Sequence, residues 1–309
     1  MAHSGKSRAW KDVMTTFTLA HLSDPHLPPM PMVRLRDIAG KRALGYLNWT
    51  RNRHRVHLRE ALDSLVADVQ AQAPDHIAIT GDIVNLALEA EFAPARKWLE
   101  SIGAPDRVTV VPGNHDCYVR DTQLRFAQVW RGYLGGDGTS NADATFPNLR
   151  RRGPLALISV SSAVPTPPLM ATGWLGQVQL QALKHMLEGL SAEQAFRVLL
   201  IHHPLRSNAR TKRLTDSHLL LALLKQHGVE MILHGHDHVH STIWVEGSNG
   251  PIPAIGVPSA SAIAHGRHPA AAYNLFAIER EGAGWRVEQT IRGIDDSFRV
   301  HELRRTRLS

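Results

Sequence analysis

Five apolar runs of this chain each end in a short cluster of Asp, Asn and His residues, and that recurrence limits the fold more than any other feature. The clusters are Asp24-Pro25-His26, Gly81-Asp82, Gly113-Asn114-His115-Asp116, His202-His203-Pro204 and Gly235-His236-Asp237-His238. One polar residue after a strand is ordinary, because strand ends are where the chain returns to solvent. Five such clusters ask for a scaffold whose strand ends meet. In α/β sheets the loops leaving the carboxyl ends of the strands converge on one edge, and ligands bind there.

The sequence between the clusters has the matching periodicity. Strands are expected at 17–22, 76–80, 107–111, 155–160, 197–201 and 231–233, and helices at 56–72, 89–101, 177–187 and 217–227. The helical spacing is clearest in Leu58, Leu62, Leu65, Val66 and Val69. Strands alternating with helices indicate βαβ units. From Ser241 onward, short runs broken by Gly247-Ser248-Asn249-Gly250 and Gly282-Ala283-Gly284 suggest antiparallel strands that continue the same sheets. No composition break marks a linker, so residues 16–298 read as one domain. A flexible basic N-terminus (1–15), a flexible loop at 135–147 and a basic C-terminal tail (299–309) complete the expected layout.

A chain of 309 residues with 43% apolar content can bury a full core. Its single cysteine, Cys117, excludes a disulfide framework and a cysteine-based zinc module, and Cys117 itself reads as a small packing residue. No continuous apolar stretch near the N-terminus resembles a secretory signal, and the longest apolar run, 219–224, falls far short of the roughly 18 residues of a spanning helix. A cytoplasmic protein, soluble or peripheral at the inner membrane face, is the expectation.

The net charge of +7 is unevenly spread. Segment 34–59 holds eight basic residues (Arg34, Arg36, Lys41, Arg42, Arg51, Arg53, Arg55, Arg59) against Asp37 alone, which accounts for the whole excess. The basic balance therefore describes one insertion and not a cationic coat. Leu35, Ile38, Leu44, Leu47 and Trp49 are interspersed, so the insertion can form an amphipathic helical lid suited to an anionic membrane surface, or a solvated helix packed on the domain. Only Tyr46 and Trp49 accompany the cluster as aromatic platforms, which argues against a nucleic-acid groove.

The five clusters offer seven nitrogen and oxygen donors and no sulfur, a set that suits manganese, iron or zinc. Seven donors exceed one tetrahedral shell, whereas one shared carboxylate would let them form two four-ligand shells. That arithmetic indicates two divalent metal ions.

The ordered set Asp-x-His, Gly-Asp-x-x-Asn, Gly-Asn-His-Asp, His-x-Pro and Gly-His-x-His, spanning Asp24 to His238, resembles the calcineurin-like metallophosphoesterase superfamily. The Gly-Asn-His-Asp and Gly-His-Asp-His forms are similar to its bacterial cyclic-nucleotide phosphodiesterase branch. The resemblance implies a four-layer αββα sandwich of two mixed β-sheets flanked by helices, with the active site at the strand carboxyl ends. It implies that Asp24, His26 and His238 hold the first metal, that Asn114, His202 and His236 hold the second, and that Asp82 bridges them. It further implies attack of metal-activated hydroxide on a small phosphoester, with His115 contacting the phosphoryl or leaving oxygen and Asp116 orienting that imidazole.

Each role has a plainer competitor. The Asp and Asn residues could simply cap turns. Asn85 reads as a helix cap and not a ligand, His234 and His240 as solvated loop residues, and His203 as a substrate contact or a support for His202. Three functions compete. The first is a dinuclear phosphodiesterase. The second is a membrane-surface pyrophosphatase acting on a lipid-linked nucleotide, resembling the UDP-diacylglucosamine pyrophosphatases. The third is a non-catalytic metal-supported scaffold, against which the completeness of the donor set speaks. The oligomeric state is left open.

Overall fold

A computed structural model describes residues 16–38, 40–120, 122–138 and 145–309. The expected N-terminal arm (1–15) and the middle of the expected loop at 135–147 lie outside the described residues.

Two six-stranded sheets form the centre. The first has the order β12-β11-β10-β1-β2-β3, with β1 (Phe17–Leu22), β2 (His76–Ile79), β3 (Val108–Val110), β10 (Ala272–Glu281), β11 (Gly284–Ile294) and β12 (Val300–Arg307). β1, β2 and β3 run parallel, whereas β10, β11 and β12 add on antiparallel. The second sheet has the order β4-β5-β6-β7-β9-β8, from β4 (Asn148–Arg152), β5 (Leu155–Ser159), β6 (Phe196–Leu200), β7 (Met231–His234), β8 (Ser241–Gly247) and β9 (Gly250–Gly256). Its central strands are parallel and both edges antiparallel.

Strand periodicity explains the layers. Leu19 and Ala78 of the first sheet meet Leu157, Val198, Leu200 and Leu233 of the second in the core between the sheets. Their sequence neighbours point the other way. Ala20, Ile77 and Ile79 face helices α3 (Arg59–Gln72) and α4 (Glu89–Ile102), while Ile158, Leu199 and Ile232 face α7 (Gln177–Leu190) and α8 (Ser217–His227). Both faces of each parallel strand are therefore buried, which is why these strands read as continuous apolar runs. The result is the four-layer arrangement expected from the sequence. Two short helices, α5 (Thr122–Val129) and α6 (Arg131–Leu134), complete the flank of the first sheet.

Two segments differ from the sequence reading. Residues 299–309, expected as a basic tail, supply β12, which pairs with β11 at the sheet edge. Most residues of β12 are exposed, so no apolar alternation marks it, and charged side chains on an open edge oppose pairing with another chain. β4 (Asn148–Arg152) was not anticipated either. Its Arg150 is buried and donates to the carbonyls of Pro105, Val108, Gly132 and Gly135, so a charged residue occupies a core position by satisfying its donors.

The basic insertion folds as a helical turn (Leu35–Asp37), α1 (Lys41–Asn48), a π-helical turn (Trp49–Arg53) and α2 (His54–Val56). Its cations do not form one outward face. Arg34, Arg36, Arg51, Arg55 and Arg59 are exposed, but three turn inward. Lys41 donates to Thr166 Oγ1 and Met170 O and lies 4.4 Å above the Tyr118 ring. Arg42 donates to the carbonyls of Leu86 and Ala87, and Arg53 reaches His115.

Candidate metal centre

All five clusters sit at the carboxyl ends of β1, β2, β3, β6 and β7, and the fold brings them together. His26 Nε2 lies 3.3 Å from His238 Nε2, which is 3.1 Å from Asp24 Oδ1. A second group surrounds His202 Nε2: Asn114 Oδ1 and His236 Nδ1 at 3.2 Å, and Asp82 Oδ2 at 3.4 Å. Asp82 Oδ2 is also 3.9 Å from His26 Nε2. The Asp82 carboxylate thus stands between the two groups.

Proton accounting shows what these groups need. His202 Nδ1 donates to Thr80 O at 2.6 Å, so a neutral His202 turns a bare Nε2 lone pair toward three further acceptors. Likewise His26 Nδ1 donates to Val84 O, leaving its Nε2 lone pair toward Asp24, Asp82 and His238. Acceptors converging without a proton between them repel unless a cation joins them. The electrostatics agree. Burial opposes a charge on His202, yet Asp82 and Asp24 pull its pKa up to about 10. Burial also opposes ionisation of Asp82, but the surrounding imidazoles, His202 foremost, hold its carboxyl well below the usual range. His26 and His236 are driven well below the ordinary imidazole value, chiefly by burial. The raised value means that the carboxylates draw a proton onto His202 when no other cation is present, while His26 and His236 stay neutral; a positive charge is wanted at this point, and imidazoles that give up a proton around ionised carboxylates fit divalent metals.

The backbone is strained at these positions. Asp24, His26, Asp82, His236 and His238 all have positive φ, from 38° to 73°. Left-handed backbone at a non-glycine residue costs on the order of 1–3 kcal/mol and collects at functional sites. Close approach explains the neighbouring glycines: a Cβ on Gly113 would stand 2.2 Å from Asp82 Oδ1, and one on Gly235 would stand 1.9 Å from Ser23 Oγ and 2.4 Å from Asp24 Oδ2.

His115 lies beside the shared Asp82, with its ring centroid 4.9 Å from that of His26. Its backbone N–H donates to Asp82 Oδ1 at 2.7 Å, and its Nδ1 donates to the Asn85 carbonyl. The Nε2 lone pair is thereby left toward the cleft, and burial, aided by Arg53, lowers the pKa to about 3. Asp116 does not do what the sequence suggested. Its oxygens accept N–H bonds from Asp82, Ile83, Val84 and Gly113 at 2.8 to 3.1 Å. It therefore ties the second and third loops together beneath Asp82, and the Asn85 carbonyl orients His115 instead. Asn85 caps no helix: its N–H donates to buried Glu91, which also receives Leu86 and Leu88.

His203 donates through Nε2 to Ala171 O and accepts from the Ser162 hydroxyl at Nδ1. With both nitrogens engaged and the side chain buried, it supports the ring of His236, 4.4 Å away, and has no face for substrate. His234 is also buried, at the end of β7, and not a solvated loop residue. Sequence reasoning missed Arg53, His57 and Lys212, which line the metal cleft of about 230 Å³. A second cavity of about 240 Å³ adjoins it through Arg53, Asn114, His115, Ala171 and Lys212, and extends to Lys41, Trp49 and Tyr118. Arg53 and His57 belong to the basic insertion, whose density was their only signal, and Lys212 lies in the loop that follows the fourth cluster.

A model of the family described as calcineurin-like phosphoesterase matches residues 17–240. A search of curated proteins found no match. Among solved structures, a dimetal phosphatase from Danio rerio superposes with a TM-score of 0.62 at 15% identity, covering 93% of this chain and 98% of that one. The purple acid phosphatase PPD1 from yellow lupin (Lupinus luteus) gives 0.63 at 10% identity, covering 95% of this chain and 54% of its own. GAP50, the anchor in the inner membrane complex of Plasmodium, gives 0.52 at 13%, covering 95% and 89%. At these identities the superpositions show a common fold, whereas the family match spans most of the chain. The chain belongs to the calcineurin-like phosphoesterases, a family of dinuclear metal-dependent phosphoester hydrolases.

Proposed function

We propose that this protein is a phosphodiesterase acting on a small phosphodiester, with a cyclic nucleotide as the first candidate and the cytoplasm as its place of action. The observation that carries the reading is the pair of adjoining cavities: the metal cleft opens at His115 and Arg53 into a second, partly aromatic cavity. A diester needs room for an organic group on each side of phosphorus, and a phosphomonoester does not.

Asp24, His26 and His238 would hold one ion and Asn114, His202 and His236 the other, with Asp82 shared. Manganese, iron and zinc all suit these donors. When bound, the two ions supply Lewis acidity toward the phosphoryl oxygens and lower the pKa of the attacking water. Arg53 and Lys212 add positive charge at the boundary between the cavities, where the phosphate would lie. Burial is the first cause of the low His115 pKa and Arg53 the second, so a phosphate anion beside Arg53 would raise that pKa by offsetting the second. Having taken a proton from solvent, His115 Nε2 would donate it to the phosphoryl or leaving oxygen, held in aim by Asn85 O. Tyr118, stacked on His115 with 5.5 Å between ring centroids, closes the far side.

The test is a panel assay of the manganese-loaded protein on bis(p-nitrophenyl) phosphate, p-nitrophenyl phosphate, cyclic AMP, cyclic GMP and a nucleotide-diphosphate lipid. The diesterase reading expects diester hydrolysis to exceed monoester hydrolysis by kcat/KM, and the reverse order refutes it. One feature favours action on a lipid-linked substrate at an anionic membrane surface. Leu44 and Leu47 of α1 and Leu169 are 47%, 43% and 85% exposed, and Leu44 and Leu169 line the outer cavity. No helix among the described residues is long and apolar enough to cross a membrane. That reading requires salt-sensitive sedimentation with anionic vesicles, lost when Arg51 and Arg55 become Ser.

A further inference from the structure

The insertion carries one imidazole to the metal cleft that none of the five motifs supplies. His57 follows α2 (His54–Val56), and its backbone is fixed on two sides. Its N–H donates to Arg53 O at 2.9 Å, and the flanking Val56 O and Leu58 N bond to Ile263 and Ser261. The side chain is only 6% exposed. Its ring centroid lies 4.8 Å from that of His26 and 5.9 Å from that of His238, edge-on in both cases. Coordinating atoms of His26, His57 and His238 all lie within 4.8 Å of one another.

The hydrogen bonds favour one tautomer. His57 Nδ1 is 2.8 Å from Ser261 Oγ and 3.3 Å from Ser259 Oγ. The Ser259 hydroxyl spends its one proton on Asp24 O, at 2.6 Å, so toward His57 it can only accept. Ser261 Oγ, the nearer neighbour, can either accept or donate; a proton on Nδ1 lets both hydroxyls accept from it and leaves the Nε2 lone pair of a ring that lines the metal cleft without a partner among the described residues. This is the disposition of His26 and His202, whose Nδ1 atoms donate to carbonyls and whose Nε2 atoms face the cluster. Anchoring one ring nitrogen so that the other can coordinate is how proteins orient histidine ligands.

We propose that His57 Nε2 is an additional ligand of the first metal site, so that the basic insertion helps to build the metal centre. The proposal rests on the two-metal reading. With Asp24, His26, Asp82 and His238, a fifth protein ligand leaves one position of an octahedral shell for water or substrate. It also biases the site toward six-coordinate manganese or iron over tetrahedral zinc.

The test is Mn²⁺ binding by the full chain, read by calorimetric titration and by metal content after dialysis, with metal-free circular dichroism as the folding control. Wild type should hold two ions. His57→Ala should weaken one site at least about 100-fold, since loss of a mere supporting hydrogen bond costs about 10- to 100-fold, and should leave the other site unchanged. Ser261→Ala, which retains the imidazole but frees Nδ1, should weaken the same site by about 10-fold, and it decides the matter if His57→Ala does not fold. Unchanged affinity in the variants, or equal weakening of both sites, overturns the assignment. A wild-type chain that binds fewer than two ions fails the two-metal reading itself, whatever His57 does.

Discussion

Gly113→Ala probes the shared carboxylate without replacing any donor residue. The added methyl would stand 2.2 Å from Asp82 Oδ1 and 2.5 Å from Asp82 N, where carbon contacts normally begin near about 3.5 Å. Relief requires a displacement of about 1 Å, several times the roughly 0.2 Å tolerance of a metal–ligand distance. Asp82 cannot yield easily, since its N–H is held by Asp116 at 2.9 Å and its Oδ1 by the His115 N–H at 2.7 Å. Overpacking of this kind costs about 1–3 kcal/mol, which a chain of this size survives with its melting temperature lowered by roughly 2–10 °C. The variant should therefore fold and yet lose both ions and turnover together. Metal analysis after dialysis, differential scanning calorimetry and bis(p-nitrophenyl) phosphate hydrolysis read the three quantities. A folded Gly113→Ala protein with two ions and near-normal turnover would show that Asp82 is not where the two sites meet.

His115→Ala should keep its metal content while turnover falls by about 10² to 10⁴, the usual contribution of a positioned acid-base group; loss of metal would make His115 a ligand. The rate loss should be smaller for substrates with very acidic leaving groups if Nε2 protonates the leaving oxygen. Asp68 offers a test of pH-dependent stability away from the site. Burial raises its pKa, but hydrogen bonds from Arg292 (2.7 and 2.8 Å) and Tyr273 (2.6 Å) outweigh it and hold the carboxyl below its usual range. Its stabilisation is therefore present above the unfolded-state pKa of about 3.9 and is lost as pH falls through the lower folded value. Asp68→Asn should cost roughly 1–3 kcal/mol at pH 7, with the gap to wild type closing below about pH 4 in urea melts; a gap constant to pH 2 would refute the assignment.

The sheets and the clusters were legible because both depend on local pattern. Strands buried on both faces give unbroken apolar runs, and the polar residues that end those runs must gather at one edge. What escaped the sequence depends on partners distant in the chain. Arg150 in β4 reads as a surface residue until four carbonyls surround it. β12 shows no alternation because both of its faces are exposed at the sheet edge. Asp116 follows His115 directly, yet its carboxylate turns to the amides beneath Asp82, a choice that follows from where the loop after β2 runs. The insertion was legible as charge but not as function: the turn at Trp49–Arg53 decides that Arg53 and His57 face the cleft while Arg51 and Arg55 face solvent. The positive φ values at five of the seven donor positions gave only a weak sequence signal: Asp and His are enriched among non-glycine residues with that backbone, but few residues of any type adopt it.

Metal stoichiometry in wild type and Asp82→Asn tests the two-metal account most directly. Asp82 Oδ2 faces both groups while Oδ1 accepts the His115 N–H, and an amide would put a neutral, weaker donor or an NH₂ where that anionic oxygen is shared. Dialysed wild-type protein should contain two divalent ions per chain, and Asp82→Asn should lose metal and hydrolysis together while remaining folded. An Asp82→Asn protein that retains two ions and turns over substrate at near the wild-type rate would contradict the account at its centre.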